Sequence, residues 1–268
     1  MDLLQIEKEV VSAVKDASKI FLKGASEVSQ KDGAANLVTN VDFDIQNFLL
    51  DRLHKILPQA GFFCEEEDRL DVCQEYVWVI DPIDGTTNFV RDLPECVISV
   101  GLLCQKKAVI AAVFAPRLDL MFTAVRGNGA YCNGKGIKTS GKTFAESLFC
   151  TGLCLYEKNL STYCSEIIAA SYDKCSDIRR FGACALEICY LALGRCDLFF
   201  EIRTYPWDYA AASLILEEAG GIIRGFHGEA LDFESITMLV GANNTENFNK
   251  INTIISDIIQ ERPEYRKW

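Results

Sequence analysis

The sequence predicts an α+β protein in which mixed sheets and helices stack in layers. Three observations carry this. Apolar residues recur at helical spacing near the N-terminus, at Leu3, Ile6, Val10, Val14, Ala17 and Phe21, with charges between them. The run Tyr76-Val77-Trp78-Val79-Ile80 has the character of a short buried strand. Two β-type runs, 96–104 and 107–116, flank Gln105-Lys106 as a hairpin does.

In chain order, a helix is expected over 1–28 and a polar loop over 30–40. A second helix carries Ile45, Phe48, Leu49, Leu53 and Ile56 on its apolar face, and Pro58 closes it. The Tyr76 strand stops at Asp81-Pro82. After the hairpin, a strand pair spans 120–138, punctuated by Gly127, Gly129 and Gly134, and 147–154 is again strand-like. Helices follow over 159–172 and 183–194, then a strand at Cys196–Phe200. A helix from Trp207 to Ala219 stops at Gly220-Gly221, glycine being the usual helix terminator. Strands at 222–226 and 237–241 and a helix over 245–260 complete the pattern. There is no internal repeat and no low-complexity linker, so hairpins and helices belong to one layered α+β arrangement.

Composition narrows the function. Apolar residues make up 49% and charged residues 24% of the 268, an ordinary globular balance that argues against disorder. The net charge of −11 and the lack of a long Lys/Arg run disfavour nucleic acid, whose binding draws on a basic face. No apolar run is long enough to span a bilayer, and the first helix is amphipathic rather than a signal peptide, so no membrane partner and a cytoplasmic setting are expected. The twelve cysteines form no CxxC pair, and most, such as Cys96, Cys104, Cys189 and Cys196, sit among apolar residues. They read as reduced core thiols. Only two histidines are present, His54 in a helical pattern and His227 in a polar turn, both best read as surface or structural residues. A Ser/His/Asp triad or a His-rich zinc site has almost no material. If the protein is an enzyme, carboxylates must supply most of its chemistry.

The segment Trp78-Val-Ile-Asp81-Pro-Ile-Asp84-Gly85-Thr86-Thr87-Asn-Phe89 is where they concentrate. An apolar strand delivers two acids three residues apart, just before a Gly-Thr-Thr turn suited to a helix start. Free backbone N–H groups at such a start bind phosphate. Cation ligands and an anion cradle therefore lie side by side, the pairing a magnesium phosphatase needs. Upstream, Cys64-Glu65-Glu66-Glu67-Asp68 follows Gly61-Phe62-Phe63, so its first acid falls at a strand end; downstream, Trp207-Asp208 opens a helix. Taken singly, Asp81 and Asp84 also suit a turn and a helix cap, the acidic run a solvated face, and Asp208 the favourable end of a helix dipole. A further motif, Gly136-Ile-Lys-Thr-Ser-Gly141-Lys142-Thr143, matches a P-loop letter for letter. It follows a polar, glycine-broken stretch and leaves no room for the helix a P-loop opens, so Lys138 and Lys142 read as loop residues.

Together the Asp81–Phe89 segment, Trp207-Asp208-Tyr-Ala-Ala and Glu218-Ala-Gly-Gly221 closely resemble the signature motifs of the inositol monophosphatase family, in order and at family-like spacing. Leu37-Val38-Thr39 with Asp42, and Lys31 eleven residues before Asp42, resemble its N-terminal motif; Glu65-Glu66 resembles its acidic pair. The resemblance runs over roughly residues 5–260. It implies a five-layer α/β/α/β/α sandwich acting as a homodimer: a Mg2+-dependent, lithium-sensitive phosphatase for a small phosphorylated polyol or sugar. By the same resemblance, Glu65, Asp81 and the Ile83 carbonyl hold a first Mg2+, and Asp81, Asp84 and Asp208 a second. A third, weaker ion leans on Glu65, giving two to three ions in all. Gly85 and Thr86 cradle phosphate, and Thr86 with Asp42 orients and deprotonates the attacking water. Glu65, Thr86 and Asp42 are thus the implied catalytic set. Glu201, seven residues before Asp208, matches a residue that binds substrate hydroxyls, and Cys184 falls in a segment that lines the substrate ring. The implied substrate contacts are Gly85, Thr86, Asp84, Glu201, Cys184 and Asp208.

Among superfamily substrates, inositol monophosphate ranks first. Fructose 1,6-bisphosphate is the runner-up, with other sugar and nucleotide phosphates behind. Residues 1–268 are expected to form a single catalytic unit, about 1–145 a metal- and phosphate-binding α+β half and 146–268 an α/β half. A non-catalytic binding relative is the alternative of a different class, disfavoured by the complete acid set. Departures from the family pattern are Cys64 and Ala212, where glycine is usual, and Ala183-Cys184 in the ring-lining segment.

Overall fold

The computed structural model describes residues 1–30, 37–66, 74–153 and 157–261. Lys31, Glu67 and Asp68 lie outside them. In chain order the elements are α1 (Leu3–Phe21), β1 (Val28–Gln30), β2 (Leu37–Thr39), α2 (Asn40–Ile56), β3 (Gly61–Cys64), β4 (Tyr76–Asp84), α3 (Thr86–Val90), β5 (Val97–Cys104), β6 (Lys107–Ala115), β7 (Leu120–Val125), β8 (Ala130–Cys132), β9 (Lys135–Ile137), β10 (Leu148–Thr151), α4 (Ser161–Tyr172), β11 (Asp177–Arg179), α5 (Cys184–Ala192), β12 (Leu198–Thr204), α6 (Pro206–Glu218), β13 (Ile222–Gly225), β14 (Thr237–Ala242) and α7 (Thr245–Glu261).

They stack in five layers. Helices α1 and α2 cover one face of a seven-stranded sheet ordered β3-β4-β5-β6-β7-β8-β9. Helices α5 and α6 fill the space between that sheet and a five-stranded one, β11-β10-β12-β14-β13, whose far face carries α4 and α7. This is the α/β/α/β/α sandwich expected from the sequence. Three apolar cores fill the stack: one between α1–α2 and the seven-stranded sheet, one around α5 and α6 between the two sheets, and one between the five-stranded sheet and α4–α7. The first shows how. Val10, Val14, Phe21, Ile45, Leu49 and Leu53, the helical-period residues of α1 and α2, are all fully buried against the sheet. Each such side chain contributes roughly 1.5–3 kcal/mol, and in a folded protein most of a helix's stability comes from packing of this kind.

Several boundaries differ from the sequence expectation. Helix α1 ends at Phe21, not 28; Gly24 follows at φ +79°, a left-handed conformation open to glycine. The polar 30–40 stretch contributes β2, which pairs antiparallel with β1. The region 120–138 holds three strands rather than two. Polar Asp177–Arg179 forms β11, an edge strand with no apolar signature. Most relevant to function, β4 does not stop at Asp81-Pro82 but runs to Asp84. Its pairing with β5 shifts register between Asp81 (opposite Ser99) and Asp84 (opposite Val97). Such an irregularity re-aims side chains at a strand end.

Candidate active site

The end of β4 builds the centre. Asp81 is 2% exposed and Asp84 8% exposed. Asp81 Oδ1 accepts the Ile83 N–H at 2.9 Å. Asp84 reaches across to the other half of the chain: Oδ1 accepts from Cys184 N at 3.0 Å and Oδ2 from Ala185 N at 2.8 Å, the first turn of α5. A carboxylate there is favoured by the free N–H groups and the helix dipole. Next comes Gly85 at φ +89°, where an added Cβ would stand 3.0 Å from the Glu95 carbonyl oxygen and 3.1 Å from Ala183 Cβ. Only glycine fits both conformation and space. It turns the chain into α3, whose first residue, Thr86, donates its hydroxyl to the Ile83 carbonyl at 3.0 Å.

Glu65 follows β3 directly and donates its backbone N–H to the Ile80 carbonyl at 3.2 Å, so the parallel β3–β4 pairing sets it beside Asp81. Neighbouring Glu66 is tied by its N–H to the buried Gln46 of α2 at 3.1 Å. Asp208 lies in the first turn of α6, and its Oδ2 accepts the Tyr205 N–H at 2.7 Å. Fully buried Asp42 lies in the first turn of α2, where Oδ2 accepts the Thr39 N–H at 2.8 Å and the Thr39 hydroxyl at 2.5 Å. Helix α3 rests against β2, which leads into that turn.

These acids feel one another. Burial, then the charges of Glu65, Asp84 and Asp208, and a hydrogen bond with Glu65 hold the Asp81 carboxyl well above the usual carboxylate range. Burial pushes Asp84 up to about 7; the Ala185 and Cys184 N–H groups oppose this, and the charges of Glu187 and Glu65 add to it. Asp208 is likewise held well above its ordinary value by burial, against the Tyr205 N–H, with Asp84, Glu65 and Glu201 raising it further. Glu201, in β12, is pushed up to about 8 by burial and then by Glu187 and Asp84, while a Cys184 hydrogen bond and Arg180 pull the other way. Burial also raises the Cys184 thiol, with Glu201 and Asp208 next in effect. Glu65, Asp81, Asp84 and Asp208 thus share one electrostatic field, with Glu201 and Cys184 on its α5–β12 side.

Among the described residues, no three acid, cysteine or histidine side chains are already drawn to metal-holding spacing. Asp84 is bonded to the α5 amides, Asp208 to Tyr205, and Asp81 to Ile83 and Glu65. The donor set nonetheless suits a hard divalent cation, since it is all oxygen and each raised carboxyl would gain from a positive charge.

The sequence left three contributors unread. Glu187 is 1% exposed in α5, and its Oε1 accepts from Phe181 N at 2.6 Å and Gly182 N at 2.8 Å. Its one signal is being the lone acid in an apolar helix. Buried Asn88 donates to the carbonyls of Glu95 (2.6 Å) and Phe181 (2.7 Å), tying α3 to the same loop. Gly152 faces Glu201 so closely that an added Cβ would lie 2.1 Å from Glu201 Cδ; a single glycine at a strand end gives no hint of this.

The P-loop-like segment is a strapped surface loop. Thr139 is bonded to Ala219 and Asn243, while Asn243 donates to Ser140 and Lys142 and Asn247 to Lys142. A single 3-10 turn, Phe144–Glu146, follows instead of a helix. His54 and His227 are exposed, as expected. Cys64 packs at the end of β3, buried, and of the four named cysteines only Cys104 is partly exposed.

Fold and site together define a five-layer α+β protein with a carboxylate centre where strands of one sheet meet helix starts of the middle layer. Its family follows from comparison. The model of the inositol monophosphatase family matches residues 2–260, and the chain belongs to that family. It is 37% identical over 225 residues to Nus factor SuhB of Escherichia coli K12, covering 81% of this chain and 84% of that protein. It is 34% identical over 243 residues to inositol monophosphatase 1 of Solanum lycopersicum, covering 87% and 88%. The solved inositol monophosphatase of Thermotoga maritima superposes with a TM-score of 0.86 at 27% identity, covering 97% of this chain and 99% of that one.

Proposed function

We propose that this chain hydrolyses inositol monophosphate to inositol and phosphate in a Mg2+-dependent reaction. Fructose 1,6-bisphosphate and other small sugar or polyol phosphates rank next. The observation that carries this reading is the shared field of Glu65, Asp81, Asp84 and Asp208 beside the glycine-opened start of α3. In the proposed arrangement Glu65, Asp81 and the Ile83 carbonyl hold one ion, Asp81, Asp84 and Asp208 a second, and Glu65 helps a third. Bound Mg2+ supplies Lewis acidity that eases deprotonation of water and stabilises the leaving alkoxide.

The chain's own residues do the rest. Gly85 and Thr86 offer backbone N–H groups to the phosphate oxygens. Thr86, anchored on the Ile83 carbonyl, orients the attacking water with Asp42, and Asp42 takes its proton. Glu201 meets substrate hydroxyls. Burial, then the charges of Glu187 and Asp84, push its carboxyl up to about 8. Cys184 and Asp208 border that substrate side.

The reading includes a homodimer in a cytoplasmic setting. It also includes inhibition by Li+, placed at the position of Asp81, Asp84 and Asp208. It treats residues 1–268 as one catalytic unit, supported by the hydrogen bonds of Asp84 to Cys184 and Ala185. A second reading, a binding protein without turnover, is favoured by the name Nus factor on the Escherichia coli relative.

One assay separates them: phosphate release from a panel of monophosphates with Mg2+, with EDTA, with added Li+, and with Asp81→Asn. Release from inositol 1-phosphate is expected to require Mg2+, to fall with millimolar Li+ and to drop at least ~100-fold in the variant. Release from another panel member alone replaces the substrate. No release from a folded, Mg2+-binding protein favours the second reading.

A further inference from the structure

Ten of the cysteines are described as free thiols, and most are settled by ordinary contacts. Cys96 points its sulfur to the Leu93 carbonyl at 3.6 Å, Cys175 to Asp177 at 3.7 Å and Cys164 to Leu153 at 3.8 Å. Cys150 and Cys196 differ. Cys150 is the third residue of β10, and Cys196 sits in the turn from α5 into β12. Their Sγ atoms are 2.8 Å apart. Both lie in the core between the two sheets, Cys150 fully enclosed and Cys196 1% exposed. Unbonded carbon atoms already meet at roughly 3.5–4.0 Å, and sulfur is larger. A disulfide needs about 2.03–2.05 Å. The backbone has therefore carried these sulfurs well inside ordinary contact, leaving less than about 1 Å to close.

The surroundings fix that approach. β10 and β12 are adjacent parallel strands, with Cys150 opposite Phe199. The Cys196 backbone is held by its N–H to the Tyr190 carbonyl at 3.3 Å, and the next residue, Asp197, donates to the Leu148 carbonyl at 3.0 Å and accepts the Leu148 N–H at 2.8 Å. These bonds fix the backbone from which each sulfur projects.

We propose that Cys150 and Cys196 form a redox couple that closes to an intramolecular disulfide, stapling β10 to the α5–β12 turn. With hydrogen peroxide as oxidant, one sulfur attacks the O–O bond and becomes a sulfenic acid with release of water. The second sulfur then displaces that oxygen as a second water. Two S–H bonds are lost, one S–S bond forms, and the peroxide is reduced by two electrons. With glutathione disulfide, a mixed disulfide forms and is displaced by the second thiol, and two glutathione thiols leave. Attack requires a thiolate, and enclosure beside Cys196 pushes the Cys150 thiol far up. Closure is therefore slow in the folded protein and fast while the chain folds. The staple spans the segment containing α4, β11 and α5 and limits the unfolded chain.

The test treats the folded protein with hydrogen peroxide in one arm. In the other, the denatured protein refolds in glutathione buffers from fully reduced to fully oxidised. Free thiols are then alkylated, and the unreduced digest is mapped by mass spectrometry. The expected product is one peptide pair joining Cys150 to Cys196, two hydrogens lighter than the separate peptides. It forms readily on refolding and slowly in the folded protein. The oxidised form should melt above the reduced form, a difference absent in Cys196→Ala. Alkylation of both cysteines in the oxidised refolding arm, or joining of either to a different cysteine, overturns the proposal. So does a cross-linked protein that melts no higher than the reduced one.

Discussion

A single acid inside the apolar run of α5 holds the loop that leads into the helix. Glu187 accepts two backbone N–H groups through Oε1, while buried Oε2 has no hydrogen-bond partner. Burial lifts its carboxyl from 4.5 to about 7, against the pull of the Gly182 and Phe181 N–H groups. The folded state therefore binds this proton more tightly than the unfolded chain. Its contribution to stability is fully present below about 4.5 and is lost as pH rises through about 7, a change of about 3 kcal/mol. Glu187→Gln keeps the acceptor and removes the titration. Denaturant melts at about pH 4.5 and pH 8 should show a smaller loss of stability for the variant than for the parent; equal losses would contradict this account. Gly152→Ala should displace Glu201, because the new methyl would occupy its carboxyl position. The proposed turnover should then show a raised KM for polyol phosphates with kcat less affected, read from steady-state kinetics. At this scale legibility followed chain neighbourhood. Asp81, Asp84 and Gly85 announce themselves within one turn, and Glu201 through its resemblance to the family pattern, whereas Gly152 matters through its close approach to Glu201, a contact that local spacing does not encode.

Helix α6 illustrates what an element must do here. Its N-terminus carries Asp208, and its body lies flat on the seven-stranded sheet, where Gly101 of β5 would place a Cβ 3.2 Å from Ala211 N. Ala210, Ala211 and Ala212 are buried along the contact, so the methyl of Ala212, where glycine is usual in the family, is absorbed by packing. Gly101→Val should push the helix outward. We expect a loss of about 1–3 kcal/mol, as overpacking typically costs, and weaker Mg2+ binding because Asp208 retreats with the helix. Thermal melts and calorimetric titration check both; an unchanged melt would show that the helix has slack. The helix starts near Thr86 and Asp208 were legible from the Gly85-Thr86-Thr87 turn and from Trp207-Asp208 opening an apolar helical run. The extension of β4 past Pro82 was not, since proline lacks a donor and normally argues against a continuing strand. Edge strands β9 and β11 were hidden by their exposed, polar residues.

Over the whole molecule, a chain of net charge −11 gathers several buried acids at its centre. A cation that binds there only in the folded state stabilises it by mass action, about 2.7 kcal/mol at a hundredfold excess over Kd. Adding Mg2+ should therefore raise Tm, and Asp208→Asn should remove most of that rise; a Tm indifferent to Mg2+ would undercut the proposed metal centre. The layered arrangement was legible from the alternation of periodicities. The order of the five-stranded sheet was not, because β12 pairs with β10 and β14, strands far from it in the chain.

The strand order of the five-stranded sheet bears on how the protein is made. β14, the last strand in the chain, is not at an edge but lies between β12 and β13. On the ribosome, β12 waits with an open flank until residue 242 has been synthesised and cleared the exit tunnel. The acids near Asp81 are translated well before the α5 amides that hold Asp84 and the α6 turn that supplies Asp208. A nascent chain interrupted after Asp208 and before Thr237 carries every acid of the centre and still lacks the strand that closes the second sheet. Synthesis time, rather than sequence content, separates an inert precursor from a finished molecule, and a chaperone that shields that flank would act in this interval.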